Sequence, residues 1–354
     1  MERAITRLWY HGGFAATLLQ PLAWLYGAVI GARRSFYRHG WLTANRVARP
    51  VVVVGNLTVG GTGKTPLVAW LAQRLAERGI KVGILSRGYG STASSPRIVE
   101  LTSHWRDVGD EPLLLRRRTG CLTVVSIDRV AGAKALIECG VDVILADDGL
   151  QHLRLARDCE VIVVDGARGF GNGRLLPAGP LREPASELAR ADLIVINGPP
   201  DHASIAHAGP HSACLATAGP DSKGRTVQMS LAAGEVTPLA GGAAPRPLST
   251  FQGQRVHAVA GIGNPPRFFT DLRSHGIEVV EHPFPDHHPF SAADLEFGDG
   301  APILMTEKDA VKCRLFASER AWYVPVTARF SEPQATVALE RVIQKLGLSV
   351  SARG

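Results

Sequence analysis

The stretch PVVVVGNLTVGGTGKTP, residues 50–66, runs from an apolar segment into a glycine-rich turn that ends in a lysine and a threonine. The four valines predict a buried β-strand, and residues 67–78 are compatible with a helix. Glycines in such a turn let backbone N–H groups converge on phosphate oxygens, and the helix N-terminus adds a favourable dipole. Lys64 can reach terminal phosphates, and the Thr65 hydroxyl can ligate Mg²⁺. The predicted phosphate-binding loop, for a nucleoside triphosphate, consists of Gly60, Gly61, Thr62, Gly63, Lys64 and Thr65.

This loop departs from the general phosphate-binding pattern at its first position. Where that pattern begins with a glycine, the chain has Thr58. The alternative interpretation is a glycine-rich turn between a strand and a helix that binds no ligand. The strand, Lys64 and Thr65 all occur in the required order, which favours the phosphate-binding interpretation.

The composition of the chain limits the classes of protein and partner that fit it. The chain has 354 residues, of which 45% are hydrophobic and 20% charged, enough for two globular domains. Its net charge of +7 suits phosphorylated substrates, anionic lipid or nucleic acid. Aromatic residues make up only 6% of the chain and do not interleave with a basic stripe, which disfavours nucleic acid as a partner. The five cysteines include no CxxC pair, so we expect neither a disulfide framework nor a zinc site, and a reducing cytosol is the expected compartment.

An uncharged segment near the N-terminus, GGFAATLLQPLAWLYGAVIGA at residues 12–32, is long enough to cross a bilayer. Gln20 and Pro21 interrupt it, and a buried helix or a signal peptide are alternatives. A membrane anchor or an interfacial helix is favoured because basic residues cluster after the segment. Whether it spans the membrane or lies on its surface stays open. The arginines that follow the segment are Arg33, Arg34, Arg38, Arg46 and Arg49.

Strand and helix patterns alternate along residues 51–196, which predicts an α/β fold with a P-loop NTPase-like parallel sheet and helices on both faces. Residues 202–247 are rich in Gly, Ala, Pro and Ser, and we expect them to connect this sheet to a second α/β run. The predicted organisation is an N-terminal membrane-associated helix (1–40), a P-loop domain (41–215) and a smaller C-terminal α/β domain with a linker at its start (216–354).

Polar residues gather where the strands of the predicted sheet end, which is the edge at which parallel sheets bind ligands. Asp147 and Asp148 follow an apolar strand, and carboxylates there are the expected partners of a phosphate loop, holding Mg²⁺ directly or through water. Arg87 follows another strand and suits a phosphate clamp, although a plain turn explains it almost as well. Asp110 opens a predicted helix, where capping is the simple interpretation.

Three later segments carry further polar residues. Arg174, Arg182 and Glu183 lie in GNGRLLPAGPLREP, where two arginines suit an anionic substrate and a solvated loop is the alternative. The histidines of FPDHHPF, residues 284–290, indicate a His–carboxylate pair rather than a metal site, which would need more ligands than this run supplies. A surface loop without a function is the alternative. The TEKD motif, residues 306–309, fits helix capping, with recognition of a nucleotide base as the alternative.

Together these motifs resemble one family, the tetraacyldisaccharide 4'-kinases of lipid A biosynthesis. GGTGKTP alone is weakly specific, but its combination with DDGxQH, LREP and a late DH pair is highly specific. The resemblance covers nearly the whole chain, and Thr58 is normal for the family. The segments that carry it are VGNLTVGGTGKTP (54–66), LSRGYG (85–90), VGDEP (108–112), DDGLQH (147–152), PLREP (180–184), AGIGNPPRFF (260–269), FPDHHPF (284–290) and TEKD (306–309).

The resemblance implies ATP-dependent transfer of the γ-phosphate to the 4'-hydroxyl of a tetraacyldisaccharide 1-phosphate, which gives lipid IVA. It further implies ATP and Mg²⁺ as cofactors, the lipid substrate and the membrane surface as partners, and a location on the cytoplasmic face of the bacterial inner membrane. The oligomeric state stays open.

The resemblance also implies roles for single residues. Asp110 and His287 form the catalytic pair that takes the hydroxyl proton, and Lys64 serves the phosphates. His287 is preferred to His288 because it directly follows Asp286 in the family-like DH pair. The implied magnesium ligands are Thr65, Asp147, Asp148 and Glu183. The implied phosphate-binding arginines are Arg87, Arg129, Arg174 and Arg182.

Two other classes of protein share some of these features. Partition ATPases combine a GGxGKT loop with membrane contact, but they place a signature lysine at the start of the loop, where this chain has Val59. A membrane scaffold with a relic nucleotide site is the second alternative. The intact Lys64, Thr65 and Asp148 weigh against it.

Overall fold

The computed structural model describes residues 8–10, 13–88, 95–200 and 224–348. Tyr89 and Gly90 of the predicted LSRGYG turn, and the predicted connection up to residue 223, lie outside these residues. The strands are β1 (Val51–Gly55), β2 (Val82–Ser86), β3 (Arg97–Ile98), β4 (Leu122–Val125), β5 (Val143–Asp147), β6 (Cys159–Asp165), β7 (Leu193–Asn197), β8 (Thr226–Ala233), β9 (Thr237–Pro238), β10 (Arg255–Ala260), β11 (Glu278–Pro283), β12 (Ile303–Thr306), β13 (Ala321–Val324) and β14 (Val326–Arg329). The helices are α1 (Phe14–Leu18), α2 (Gln20–Arg38), α3 (Lys64–Ala76), α4 (Trp105–Val108), α5 (Asp110–Thr119), α6 (Arg129–Glu138), α7 (Pro265–Ser274), α8 (Glu307–Cys313) and α9 (Glu332–Leu346).

The first sheet has β1 at its centre. In the described part of the chain it contains nine strands in the order β14-β8-β7-β6-β1-β5-β2-β4-β3. Neighbouring strands are parallel except at the two edges, where β3 and β14 run antiparallel to their partners. Every residue of β1, β2 and β5 is buried, as expected for parallel strands that are covered on both faces. The predicted P-loop NTPase-like parallel sheet is therefore confirmed.

Helices cover both faces of the first sheet because each presents an apolar side to it. α3 buries Leu67, Leu71 and Leu75, which recur at every fourth position. α9 packs in the same apolar cluster and contacts β1, β6, β7 and β8. On the opposite face, α6 buries Val130 and Leu136. These two layers fix the carboxyl end of β1, where the phosphate-binding loop begins.

The second sheet has the order β11-β10-β12-β13-β9, and α7 packs against β10 and β11. α8 follows β12 directly and packs against α5 of the first sheet, so one short helix joins the two units. The division of strands and helices between the two sheets does not follow the predicted domain ranges 41–215 and 216–354. β8, β14 and α9 all lie after residue 215, yet they pair with or pack on the first sheet.

The N-terminal segment forms α1 and α2, which are joined near Leu19. The Tyr26 hydroxyl donates to the carbonyl of Arg182 at 2.9 Å, and the Trp9 ring nitrogen donates to the carbonyl of Pro177 at 3.0 Å. These bonds hold the segment on the loop that precedes Glu183. Within the described parts of the chain, no helix has the length and apolar content needed to cross a membrane.

Candidate active site

The phosphate-binding loop adopts a conformation that its glycines permit. Gly60 and Gly63 have φ values of 104° and 94°, in the left-handed region that glycine adopts without strain. A Cβ at Gly63 would lie 2.7 Å from Nδ2 of Asn197, so the close packing at this position also requires glycine. Asn197 Nδ2 donates to the carbonyl of Thr62 at 3.0 Å and pins the loop to the end of β7. α3 begins directly after Gly63, so its N-terminal N–H groups face the loop.

Lys64 points across the loop toward β1 and β5. Its Nζ donates to Oδ1 of Asn56 at 2.9 Å and lies 3.6 Å from Oδ1 of Asp148. Asn56 Nδ2 in turn donates to the carbonyls of Thr58 and Gly60, at 2.8 and 3.3 Å. Asn56 thus shapes the loop and orients its lysine, a role that the sequence did not predict.

The two aspartates after β5 lie in different environments. Arg182 grips Asp148 with two hydrogen bonds, Nη1 to Oδ2 at 3.1 Å and Nη2 to Oδ1 at 2.9 Å. Burial raises the pKa of Asp148, but Lys64 and Arg182 outweigh it and hold that pKa well below its usual range. Burial raises the pKa of Asp147 to about 7, and the nearby Glu111 carboxylate adds to the increase. Lys64 and Arg129 oppose this increase but do not cancel it.

The surroundings of Asp147 and Asp148 fit Mg²⁺. Asp147 Oδ1 is buried and has no hydrogen-bond partner among the described residues. A buried carboxylate oxygen without a partner is a suitable ligand for a cation. Mg²⁺ binds through one or two carboxylates plus substrate phosphates, so Asp147, Asp148 and the Thr65 hydroxyl form a suitable donor set.

Glu183, the fourth implied magnesium ligand, is engaged elsewhere. Its Oε2 lies 3.1 Å from Nε of Arg34, and the same arginine also pairs with Glu187. Within the described residues, no group of three or more His, Cys, Asp or Glu side chains is arranged to hold a metal ion. The structure thus does not group Glu183 with Asp147 and Asp148, because α2 supplies a competing cation.

Three of the four implied phosphate-binding arginines, Arg87, Arg129 and Arg182, lie around the aspartates after β5, and Arg174 does not. Arg182 contacts Asp148 directly, and the buried Arg129 has its pKa lowered by burial to about 10, an effect that Asp147 and Asp148 oppose. Arg87 is exposed at the end of β2. Arg174 instead donates from Nη1 to the Thr17 hydroxyl at 3.4 Å and faces the N-terminal helices.

Asp110 and His287 form a pair across the two sheets. His287 Nδ1 lies 3.1 Å from Oδ2 of Asp110, while the backbone N–H of Glu111 donates to Oδ1 at 2.8 Å. Burial raises the pKa of Asp110, but the hydrogen bond from His287 and the charge of Lys308 outweigh it and bring that pKa to about 2. The hydrogen bond to Asp110 raises the pKa of His287 in return. Asp110 is therefore an ionised, buried carboxylate held by an imidazole.

His288 points away from this pair. Its ring packs on Phe284 with ring centres 4.6 Å apart, and its Nε2 lies 3.4 Å from Oδ2 of Asp294. Of the two adjacent histidines, His287 is the one that contacts Asp110.

Two lysines of α8 support the pair and were not predicted from the sequence. Lys308 Nζ donates to Oε1 of Glu111 and to Oδ1 of Asp286, both at 3.0 Å. Lys312 Nζ lies 2.8 Å from Oδ1 of Asp309 and 3.8 Å from Oδ2 of Asp110. The spacing of four residues, which places both lysines on one helix face, was the available signal.

Lys312→Met is expected to lower the free energy of unfolding by about 3–5 kcal/mol, because it leaves the buried Asp309 carboxylate without its cation. The Lys312 and Asp309 side chains are both 0% exposed. Urea unfolding followed by circular dichroism measures the change. The control is Lys345→Met, which removes a partly exposed pair with Asp192 and should cost less than about 1 kcal/mol. Equal losses in the two variants would contradict the expected result.

A cavity of about 640 Å³ adjoins the phosphate-binding loop. Its wall includes Gly61 and Asn197 from the first unit and Asn264 and Phe268 from the second. A Cβ at Gly263 would lie 3.2 Å from the backbone nitrogen of Gly61, so the second unit approaches the loop closely. The cavity has the size and mixed lining of a site for a nucleoside.

Known proteins match this chain over almost its whole length. A family model described as tetraacyldisaccharide-1-P 4'-kinase matches residues 15–344. The tetraacyldisaccharide 4'-kinase of Alkalilimnicola ehrlichii is 50% identical over 332 residues, which cover 94% of this chain and 93% of that protein. The protein of the same name from Xanthomonas euvesicatoria pv. vesicatoria is 51% identical over 322 residues, 90% of each chain.

The fold agrees with these matches. A crystal structure of LpxK from Aquifex aeolicus in complex with ATP aligns with a TM-score of 0.73 and 29% sequence identity, covering 93% of this chain and 99% of that one. The resemblance inferred from the motifs is thereby confirmed. The chain belongs to the tetraacyldisaccharide 4'-kinases, which use ATP to phosphorylate the 4'-position of the disaccharide in lipid A biosynthesis.

Proposed function

We propose that the chain transfers the ATP γ-phosphate to the 4'-hydroxyl of a tetraacyldisaccharide 1-phosphate with Asp110 as the general base. The observation that carries the proposal is the 3.1 Å contact between His287 Nδ1 and Asp110 Oδ2, made by residues of different units. An ionised carboxylate held in this way can accept a proton from a hydroxyl bound beside it.

The remaining steps follow from charge and position. The triphosphate lies on the N–H groups of residues 60–65, with its nucleoside in the adjoining cavity. The sugar oxygen forms the new bond to the γ-phosphorus, the bond to the bridging oxygen of ADP breaks, and the hydroxyl proton passes to Asp110. Lys64 and Arg182 offset the charge on the phosphate oxygens. Bound Mg²⁺, held by Thr65, Asp147 and Asp148, would neutralise the β- and γ-phosphate oxygens.

An assay of the purified full chain tests the reaction. The protein is incubated in detergent micelles with ATP, Mg²⁺ and the disaccharide 1-phosphate, and lipids are resolved by mass spectrometry. The proposal requires one bisphosphorylated lipid for each ADP released. ADP release without the lipid product would instead support a partition-type ATPase, and no turnover at all would support a scaffold.

We also propose that α1 and α2 bind the membrane surface from its cytoplasmic side. The exposed apolar residues Leu18, Leu22, Leu25 and Val29 recur at intervals of three and four along these helices. Such spacing places them on one helical face, which suits insertion between lipid headgroups. Arg33 and Arg38 are exposed close by and can meet lipid phosphates.

Replacing Leu22 and Leu25 together by glutamate is expected to weaken vesicle binding by more than about tenfold, because two apolar side chains no longer enter the interface. Co-sedimentation with vesicles that contain anionic lipid measures the partition. The matched control is Leu315→Glu, which changes an 82% exposed leucine on the second unit. Unchanged sedimentation of the double variant would show that another surface binds the membrane.

A further inference from the structure

Lys308 contacts the imidazole ring of His287 at the nitrogen that does not face Asp110. It lies in the first turn of α8, which the second sheet carries, and its Nζ is 3.4 Å from Nε2 of His287. The same Nζ donates to Glu111, the residue that follows Asp110 on α5. Lys308 therefore contacts His287 and the residue next to Asp110, and it links the two units at the point where the reaction is proposed to occur.

The chemistry of these contacts determines where the imidazole proton sits. Burial lowers the pKa of Lys308, but Glu111, Asp110 and Asp286 outweigh it and raise that pKa above its usual range, so the side chain is an ammonium. An ammonium only donates hydrogen bonds, and an ionised carboxylate only accepts them. His287 Nε2 must then be the acceptor toward Lys308, and Nδ1 must carry the hydrogen that points to Asp110.

We propose that Lys308 is a positioning residue that opposes protonation of His287 on Nε2 and so directs the proton of the neutral ring, on Nδ1, at Asp110. The proposal rests on the proposed function, in which Asp110 and His287 act as the catalytic pair. Lys308 touches neither phosphate nor sugar in it and acts through His287, through the contact with Glu111 and through its charge near Asp110.

Charged groups from three elements face His287, and they oppose one another. Asp110 on α5 is the hydrogen-bond partner of Nδ1, Lys308 on α8 faces Nε2, and Asp286 on the histidine's own loop has Oδ1 3.9 Å from Nε2. Asp110 and Asp286 favour the imidazolium, whereas Lys308 disfavours it. Without Lys308 the pKa of His287 rises. The neutral ring is then lost at a higher pH, so the acid limb of the rate profile moves upward.

Nitrogen NMR of the full chain tests the tautomer without ATP or lipid. Histidine labelled with ¹⁵N reports whether each ring nitrogen is protonated, and the His287 signals are those that disappear in His287→Gln. In a pH titration the native His287 should lose the proton on Nε2 and keep the one on Nδ1, and in Lys308→Met that loss should occur at a higher pH. A neutral native ring that keeps its proton on Nε2, or an unchanged titration in Lys308→Met, overturns the proposal.

Kinetics on the same variants test the consequence. Lys308→Met should lower kcat by at least about tenfold, with the KM for ATP changed less than twofold, and should move the acid limb upward by about one pH unit. Lys308→Arg keeps the charge and should recover most of the loss. Lys134→Met, on the exposed side of α6, is the matched control and should match the native enzyme. An unmoved pH profile in Lys308→Met overturns the proposal.

The two experiments separate the possible failures. If the NMR result holds but the chain makes no bisphosphorylated lipid, the proposed function fails and the assignment of the tautomer stands. If the lipid product forms but the native His287 carries its proton on Nε2, the role of Lys308 fails and the proposed function stands. If Lys308→Met does not fold, the spectrum of the native protein alone decides.

Discussion

Asp110→Asn lowers kcat by about 10²–10⁴-fold while the affinity for ATP stays within a factor of two. The loss follows from the base role, because an amide accepts no proton from the sugar hydroxyl and general-base catalysis contributes a factor of this size. Asparagine keeps the shape of the side chain, so the N-terminus of α5 and its contact with α8 should remain intact. ATP affinity is preserved because the phosphate-binding loop lies on β1 and α3, not on α5.

Rapid-quench measurement of ADP and lipid product gives kcat, and calorimetry gives the ATP dissociation constant. Asp294→Asn is the matched control, because Asp294 also lies beside a histidine, His288, but outside the proposed site. That variant should retain native kcat. A rate for Asp110→Asn within a few-fold of the native enzyme would remove Asp110 from the mechanism.

Lys64→Met has the second largest expected effect, a loss of about 10²–10³-fold in kcat. The ammonium is the one cation that the phosphate-binding loop itself supplies, and removing one such preorganised donor costs a factor of this order. In the structure Lys64 is already held by Asn56 Oδ1 at 2.9 Å, so its charge does not need to be reordered when ATP binds.

Two comparisons sharpen this second test. Lys64→Arg should recover little, because a planar guanidinium does not replace a compact ammonium at the end of a tight loop. Lys81→Met removes an exposed lysine at the start of β2 and should leave kcat unchanged. Native kcat in Lys64→Met would mean that the phosphates bind away from residues 60–65.

The first strand, the loop and the helix after it could be predicted because their causes are local. Four valines in sequence favour a buried strand, and glycine at positions 60 and 63 permits the positive φ angles that the loop adopts. The capping interpretation of TEKD is also confirmed, since the Thr306 hydroxyl accepts from the backbone N–H of Asp309 at 3.2 Å. Each of these features depends on residues within a few positions of one another.

The pairing of Asp110 with His287 has no local cause. The two residues are 177 positions apart, and their own surroundings indicate only a helix start and a proline-bounded loop. Their association depends on α8 packing against α5, which no periodicity in either segment reveals. Only the family resemblance joined them before the structure did.

Long-range competition also explains the residues that the structure places differently. Glu183 pairs with Arg34 and Arg174 reaches Thr17, so both side chains turn toward the N-terminal helices rather than the aspartates after β5. Sequence motifs identify residues that can bind metal or phosphate, but they do not show which side chains from distant elements contact those residues in the folded chain. Similarly, β14 returns to the first sheet because β8 offers it an open edge.

A crystal structure of the chain with Mg²⁺ and a non-hydrolysable ATP analogue tests the central claim most directly. We predict the β- and γ-phosphates on the backbone N–H groups of residues 60–65 beside Lys64, the metal on Asp147 and Asp148, and Asp110 with its histidine facing the γ-phosphorus. A nucleotide bound away from this loop, or an Asp110 side chain turned from the γ-phosphate, would contradict the claim.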